Sequence, residues 1–380
     1  MNKWYMCPSG ATVRIATSDI YEGDAIGNFN LQIRSFLKKN NIPCKLYAVN
    51  YEVDVDIDLY HYDELFDDVN DGDILLCHYS IYEERNTRLV DLKIPKAVYY
   101  HGITPPEYFE LYDITTYENC AKGLQQARCF ADFDYYISNS DYMLNQLLDA
   151  VCGDDLVKKH ELSTRSNVCP PFINASQWDC ESSNEIELPE GDLSLLYVGR
   201  VAPHKSVHEL FDLLRSLVDK GQDASLRIVG GCAAPKYCEE LDDLLDREYS
   251  TIKHRIKFYG HVSQSELKYL YESSDVFVTM SEHEGFCVPL VEAMRFSLPV
   301  LAKGRAAIPG TLSGSGMVFY DADYDVLADY VMSLLDEKVK KDALDRQDAV
   351  YQKILETSNG KMILSILEKL IQKHYFNKTI

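Results

Sequence analysis

The sequence predicts an α/β protein built from two doubly wound, Rossmann-like domains. Three observations carry that expectation. Short apolar runs alternate with helix-period stretches along the chain, the pattern of strands joined by crossover helices. The alternation stops at a polar stretch near the middle and then begins again. At 380 residues the chain also exceeds the size at which one hydrophobic core stops growing.

In the first half, Thr12 to Thr17 reads as a strand and Gly27 to Lys39 as the helix after it. Lys45–Val49, Asp73–Cys77, Ala97–Tyr100 and Asp134–Ser138 read as further strands, and Tyr142 to Ala150 as a helix. The polar stretch Asn174 to Asp192 is the linker candidate. Beyond it come a strand at Leu193–Val198, a helix at Val207–Lys220 closed by Gly221, and a strand at Leu226–Val229 ending in Gly230-Gly231. Ile256–Gly260, Asp275–Met280 and Pro299–Ala302 continue the strands, with a helix at Glu266–Ser273. A helical region fills the remainder. The expected domains are 1–175 and 176–360, with the helix at about 361–380 packing back on the first.

Composition sets limits. Hydrophobic residues at 46% and charged residues at 26% suit a soluble globular protein. A net charge of -22 argues against nucleic acid as a partner, because that affinity needs basic groups to displace phosphate counterions. Eleven cysteines with no C-x-x-C pair suggest reduced thiols in a cytoplasmic setting. No apolar run approaches the ~18 residues of a membrane span, and the polar start is unlike a signal peptide.

The most informative stretch is Ser281-Glu282-His283-Glu284-Gly285-Phe286-Cys287-Val288-Pro289-Leu290-Val291-Glu292. A strand leads into an acidic loop, and Pro289 then opens a helix. The Glu284 carboxylate and the amides of Gly285 and Phe286 would stand at the positive end of that helix, with Glu292 in its first turn. Such amides bind anions, and carboxylates accept hydrogen bonds from polyols; a sugar on a diphosphate has both groups. Upstream, Leu195 to Val207 contains Gly199, Arg200 and Lys205 just past a strand. Ligands of open α/β sheets collect at such carboxyl ends. Arginine offers phosphate a planar fork and lysine a compact charge.

These two stretches, in this order and at about this separation, resemble the Glu-x7-Glu motif and the phosphate-binding segment of the family 4 retaining glycosyltransferases. The resemblance implies the GT-B arrangement, two Rossmann-like domains facing across a cleft. It implies catalytic roles for His101, Arg200, Lys205 and Glu284. Donor binding would fall to Gly23, Asp24, Gly199, Arg200, Lys205, Glu284, Gly285, Phe286 and Glu292, with Glu292 on the ribose. Gly23 and Asp24 lie in a loop whose Gly-Asp-Ala form resembles some bacterial members, although Asp24 would serve equally as a helix cap. His101, in His-Gly-Ile-Thr-Pro-Pro, resembles the family's histidine on the sugar side of the cleft. His78 follows another strand end but matches less closely, and Asn139-Ser140 would shape the cleft.

The Gly-Asp-Ala and His-Gly-Ile-Thr-Pro-Pro segments together resemble bacterial mannosyltransferases that build polysaccharide such as O-antigen. GDP-mannose is therefore the expected donor and a glycan hydroxyl the acceptor. The alternatives are a UDP-hexose donor, a sugar-nucleotide-binding protein without turnover, and an epimerase of the same fold. No cofactor or metal is expected. The six Asp-x-Asp spacings (Asp54/Asp56, Asp56/Asp58, Asp71/Asp73, Asp132/Asp134, Asp321/Asp323, Asp323/Asp325) lie away from the candidate site and read as solvated charge. A nicotinamide enzyme is excluded because Gly314-Ser315-Gly316 lacks its third glycine and follows no clear strand. A P-loop enzyme is excluded because G-x-x-x-x-G-K-[ST] is absent.

The acceptor is expected on the first domain, near Tyr79, Tyr82, Tyr99, Tyr100, Tyr108, Phe109 and Tyr112, since aromatic faces suit sugar rings. A lipid-linked acceptor would bring the enzyme to the inner face of the cytoplasmic membrane. The stripe of Ile363, Ile366, Leu367 and Leu370 is expected to pack on the protein, and the local basic patch of the Lys361 to Lys378 region is the candidate for weak, salt-sensitive contact there.

Overall fold

The computed structural model describes residues 10–21, 25–52, 58–321 and 323–376. Its contacts divide the chain into two compact units. The first comprises Met1–Ile103, Glu118–Ile173 and Glu356–Ile380; the second comprises Thr104–Tyr117 and Asn174–Leu355.

The first unit holds a seven-stranded sheet, in the order β3-β2-β1-β4-β5-β6-β7, with all its pairings parallel. Its elements run β1 (Val13–Tyr21), α1 (Ala25–Lys39), β2 (Cys44–Glu52), β3 (Leu59–His61), α2 (Glu64–Asp68), β4 (Ile74–Tyr79) and β5 (Lys96–Tyr100). They continue with α3 (Ile114–Gln126), β6 (Tyr135–Ser138), α4 (Asp141–Cys152), α5 (Leu156–Ser163) and β7 (Ser166–Val168). β4 and β5 are buried along their whole length, as expected of inner strands covered on both faces. α4 starts as its sequence dictates, with the Ser140 side chain accepting from the Met143 amide.

The second unit contains a six-stranded parallel sheet in the order β10-β9-β8-β11-β12-β13. Its strands are β8 (Leu193–Val198), β9 (Ala224–Val229), β10 (Ile256–Gly260), β11 (Val276–Thr279), β12 (Val300–Lys303) and β13 (Met317–Phe319). α6 (His208–Asp219), α7 (Pro235–Glu248), α8 (Gln264–Glu272), α9 (Val288–Arg295) and α10 (Ile308–Leu312) connect them. α11 (Tyr324–Ser333) and α12 (Glu337–Thr357) follow, and the chain then returns to the first unit with α13 (Lys361–Ile371). Leu210, Phe211, Leu213, Leu214 and Leu217 put the buried face of α6 into a core shared with Leu195, Ile228 and Val278. α8 begins with a reciprocal capping box between Ser263 and Glu266.

Three expectations change. First, residues 104–117 belong to the second unit rather than the first. Tyr112 packs edge-on against Tyr237 at 5.4 Å and donates to Glu240 Oε2 at 2.8 Å. Tyr108, Phe109 and Tyr112 therefore do not furnish the first domain's aromatic surface; Tyr79, Tyr99 and Tyr100 are core residues of it. Second, the stretch read as a linker begins inside the second unit. Trp178 is 3% exposed and meets Phe296 at 4.8 Å and Tyr271 at 5.8 Å. A large aromatic with two ring partners is fixed by burial, whatever the polarity of its neighbours in sequence.

Third, not every cysteine is a thiol: Cys232 and Cys238 form a disulfide. Cys232 follows β9 and Cys238 lies in the first turn of α7. The helix opening at Pro235 turns the chain back, so the two Cα atoms are 6.4 Å apart. The stripe on α13 packs on the first unit, the placement expected of the C-terminal helix. Ile363, Ile366, Leu367, Leu370 and Ile371 are at most 2% exposed and join the first unit's core with Phe29, Ile33 and Tyr99. Lys369 donates to the Tyr135 hydroxyl at 2.8 Å, and Lys373 pairs with Asp134 at 3.1 Å. Among the described residues, no helix is long and apolar enough to cross a membrane.

Candidate active site

At the carboxyl ends of β8 and β11 the structure brings the two sequence motifs together. β8 and β11 are hydrogen-bonded neighbours in the sheet, with Leu195 beside Val276, so segments far apart in sequence leave it side by side. Lys205 Nζ lies 2.7 Å from Glu284 Oε1, with the two side chains only 12% and 15% exposed. Arg200, by contrast, is exposed and forms no ion pair among the described residues. One cation is thus held on the carboxylate and the other is available to an incoming anion.

The loops that carry this pair are bolted to one another. The Glu282 amide donates to the His204 carbonyl at 2.8 Å, and the Ser281 hydroxyl reaches the same oxygen at 3.4 Å. On the other side, the Ala307 amide donates to the Glu284 carbonyl at 3.3 Å, and Thr311 Oγ1 donates to the Phe286 carbonyl at 2.6 Å. Tyr197, buried on β8, donates to the Arg200 carbonyl at 3.1 Å. Gly230 sits where this packing leaves no room. It has φ +135°, and a Cβ there would stand 2.0 Å from the Gly199 carbonyl oxygen.

Two histidines sequence reasoning passed over adjoin the pair. His204 and His283 are 4% and 6% exposed, and His204 Nδ1 and His283 Nε2 are buried without a hydrogen-bond partner. Burial pushes His283 down to about 4, helped by the positive charge of Lys205. It pushes His204 well below the usual imidazole range, and Lys205 and Arg200 act in the same direction. Both rings are neutral at pH 7 and neither competes with Lys205 as a cation.

Gly285 and Phe286 precede α9, as expected, and Cys287 caps it in the left-handed conformation at φ +67°. Glu292 lies in the second turn of α9, not the first, so it does not serve as the helix-start acid. Instead it is half-buried, accepting from the Tyr271 hydroxyl at 2.8 Å and from Gln177 Nε2 at 3.4 Å. Burial raises its carboxyl to about 7, against the two hydrogen bonds, which act to lower it. Tyr271 and Gln177 come from 21 and 115 residues away, and nothing local in the sequence marks them.

His101 lies in the first unit at the end of β5. Its Nε2 is 2.8 Å from His78 Nδ1, and its ring lies against Phe29 and Tyr99. Asn139 Nδ2 donates to the His101 carbonyl at 3.2 Å. Burial depresses His101 to about 3, and His78 is lowered by burial and by His101, so the pair is neutral and shares one proton between facing nitrogens. His78 and Asn139 thus join His101 as one cluster. Gly23 and Asp24 fall outside the described residues. Among the described residues, no group of three or more His, Cys, Asp or Glu side chains is placed to hold a metal ion.

Residues 180–351, nearly all of the second unit's main segment, match the glycosyl transferases group 1 family. The chain is 29% identical over 144 residues to O-antigen chain mannosyltransferase B of Escherichia coli, covering 37% of this chain and 36% of that protein. It spans about a third of the length of the curated relatives it matches. Among solved structures, a glycosyltransferase from Rickettsia africae superposes with a TM-score of 0.67 at 13% identity, over 97% of this chain and 100% of that one. Anabaena HepE in complex with UDP and glucose gives 0.65 at 15% identity, over 94% and 99%. The fold is that of the GT-B glycosyltransferases, and the similarity to the group 1 family is confined to the second unit.

Proposed function

We propose that this protein is a retaining α-glycosyltransferase that moves a hexose from a nucleoside diphosphate to a hydroxyl of a glycan acceptor, without a metal. The observation that carries the reading is the Lys205–Glu284 pair beside Arg200, which forms no ion pair among the described residues, at adjoining strand ends. Arg200 and Lys205 take the diphosphate, Glu284 and the Gly285–Phe286 segment take the sugar, and Glu292 takes the ribose hydroxyls. In the transfer the bond from the anomeric carbon to the diphosphate breaks as the acceptor oxygen bonds that carbon. The acceptor's proton leaves with the diphosphate. Charge grows on the departing phosphate, where fixed cations lower the barrier. His101, in the first unit, is the proposed catalytic histidine.

The favoured donor is GDP-mannose, and the favoured setting is bacterial polysaccharide assembly at the cytoplasmic side of the membrane. The similarity to an O-antigen mannosyltransferase supports this. The likeness to a protein that binds UDP and glucose supports a UDP-hexose as the second reading. Thermal-shift titration with GDP and UDP separates them, since a bound nucleotide raises stability by RT ln(1 + [L]/Kd). A shift with UDP alone ends the mannose assignment. Binding of neither, with no transfer from GDP-mannose or UDP-hexoses to oligosaccharides, ends the transferase reading.

A further inference from the structure

One strand beyond the Glu284 loop, the carboxyl end of β12 carries a second arginine-containing cluster that the donor site does not use. Lys303, at 8% exposure, is held by Glu209 at 2.7 and 3.0 Å and also pairs with Glu282. Its charge is spent inside the fold. Arg305 is different. Its Nε donates to Glu282 Oε2 at 3.1 Å, its side chain is 40% exposed, and its two Nη groups have no partner among the described residues. An arginine pinned through Nε keeps the end of its fork for a two-oxygen ligand.

The position of this fork is fixed relative to the sugar-binding loop. The Arg305 amide donates to Lys303 O at 2.9 Å, and Ala306 turns the chain at φ +48°. The next amide, Ala307, is the one bonded to the Glu284 carbonyl. From the other side comes Tyr108, on the 104–117 segment, its ring 6.3 Å from that of His204. The His204 carbonyl accepts from the amide of Glu282, the residue that pins Arg305, so the Tyr108 and Arg305 segments meet through His204, and the Tyr108 hydroxyl has no hydrogen-bond partner among the described residues. An exposed Arg–Glu pair alone would be ordinary surface chemistry. A half-buried phenol from 197 positions away, with its hydroxyl also unused, adds a second kind of donor.

We propose that Arg305 and Tyr108 form a subsite for an anionic group, a carboxylate or a phosphate, carried by the sugar acceptor. The sheet order β8-β11-β12 puts Arg305 on the far side of the Glu284 loop from Arg200. An anion there is not the donor's diphosphate, and the neutral hexose favoured for the donor supplies none. This assignment rests on the transferase reading for the identity of the ligand as an acceptor, but the subsite itself can be tested without turnover.

The experiment titrates glucuronate, glucose 6-phosphate and glucose into protein saturated with GDP or UDP, whichever binds, so that Arg200 and Lys205 are occupied. Binding is read by calorimetry. At least one anionic sugar should bind about tenfold or more tightly than glucose, and which one does so tells carboxylate from phosphate. Arg305→Gln should abolish that preference while leaving nucleotide affinity within about twofold, and Arg305→Lys should restore part of it. Tyr108→Phe, which keeps the ring packing, should weaken the anionic sugar severalfold and serves if Arg305→Gln fails to fold. Equal binding of all three sugars overturns the proposal, as does a preference that survives Arg305→Gln or, should that variant be lost, Tyr108→Phe. If neither nucleotide binds, the transferase reading fails. The same titrations on Arg200→Ala protein then still decide whether Arg305 takes an anion.

Discussion

At pH 7 Glu292 stands at its own midpoint, and this makes it the residue whose behaviour is simplest to test. Its carboxyl is raised to about 7 by burial, whereas in the unfolded chain it titrates near 4.5. The folded state therefore keeps a proton that the unfolded state has lost between those values, and Glu292 costs stability as pH rises through that window. Glu292→Gln should be more thermostable than the native protein at pH 8 and equal to it at pH 4.5, as read by melting temperature. The charged form is the better acceptor for ribose hydroxyls. The donor's KM should accordingly rise as pH falls below about 7, and Glu292→Gln should have a higher KM without that dependence.

Arg200 and Lys205 make a complementary pair of tests. Each alanine variant should lose about a hundredfold in turnover if each cation supplies ~3 kcal/mol to the transition state. Only Lys205→Ala should also lower the melting temperature, because it strands a largely buried Glu284. Near-normal turnover in a folded variant of either residue removes its phosphate role. The sequence made Arg200, Lys205, Glu284 and Glu292 visible because each sits at a fixed offset from a strand end or a helix start. Tyr271, Gln177, His204 and Tyr108 were not visible, because only tertiary packing brings them to their partners.

Among the elements, the loops between β9 and α7 and between β8 and α6 act as one piece. Gly230 leaves space for the Gly199 carbonyl, and Val201 exchanges backbone hydrogen bonds with Gly231 and Ala233. Gly230→Ala should shift that carbonyl and the Arg200 beside it. The expected result is a loss of nucleotide affinity of about tenfold or more in thermal-shift titration, together with a lower melting temperature, since both clash and strained φ must be relieved. Strands with continuous apolar runs, such as β4, β5, β8 and β11, were legible in the sequence. The three-residue strands β3, β7 and β13 were not, because so short a piece carries no readable period. The acidic helix α7 was also missed, and only Tyr237, Leu241 and Leu245 of its fourteen residues reach the core.

For the whole molecule, net charge decides how the protein meets a surface. With -22 overall and the apolar face of α13 spent on the first unit's core, any contact with anionic lipid falls to exposed lysines such as Lys361, Lys369 and Lys373. Flotation with anionic liposomes should therefore show weak association at low salt that vanishes by about 0.5 M, where screening acts over a few ångströms. Binding that survives high salt would require an apolar surface other than α13. The two-unit architecture was legible from the restart of the strand pattern. The exchange of residues 104–117 was not, because it is settled by where Tyr112 finds Tyr237.

The last segment of the chain also imposes an order on synthesis. The first unit is made of three stretches of sequence, and Ile363, Ile366, Leu367, Leu370 and Ile371 of α13 fill its core. A growing chain that has emitted every strand of that sheet still lacks the helix that covers part of it. Until residue 371 has left the ribosome, Phe29, Ile33 and their neighbours keep a wet face, while the second unit between them has all its own pieces. A chain cut short before α13 would carry a complete second unit beside an open hydrophobic sheet, and the cell's quality control would meet it as a misfolded protein rather than as a shorter working one.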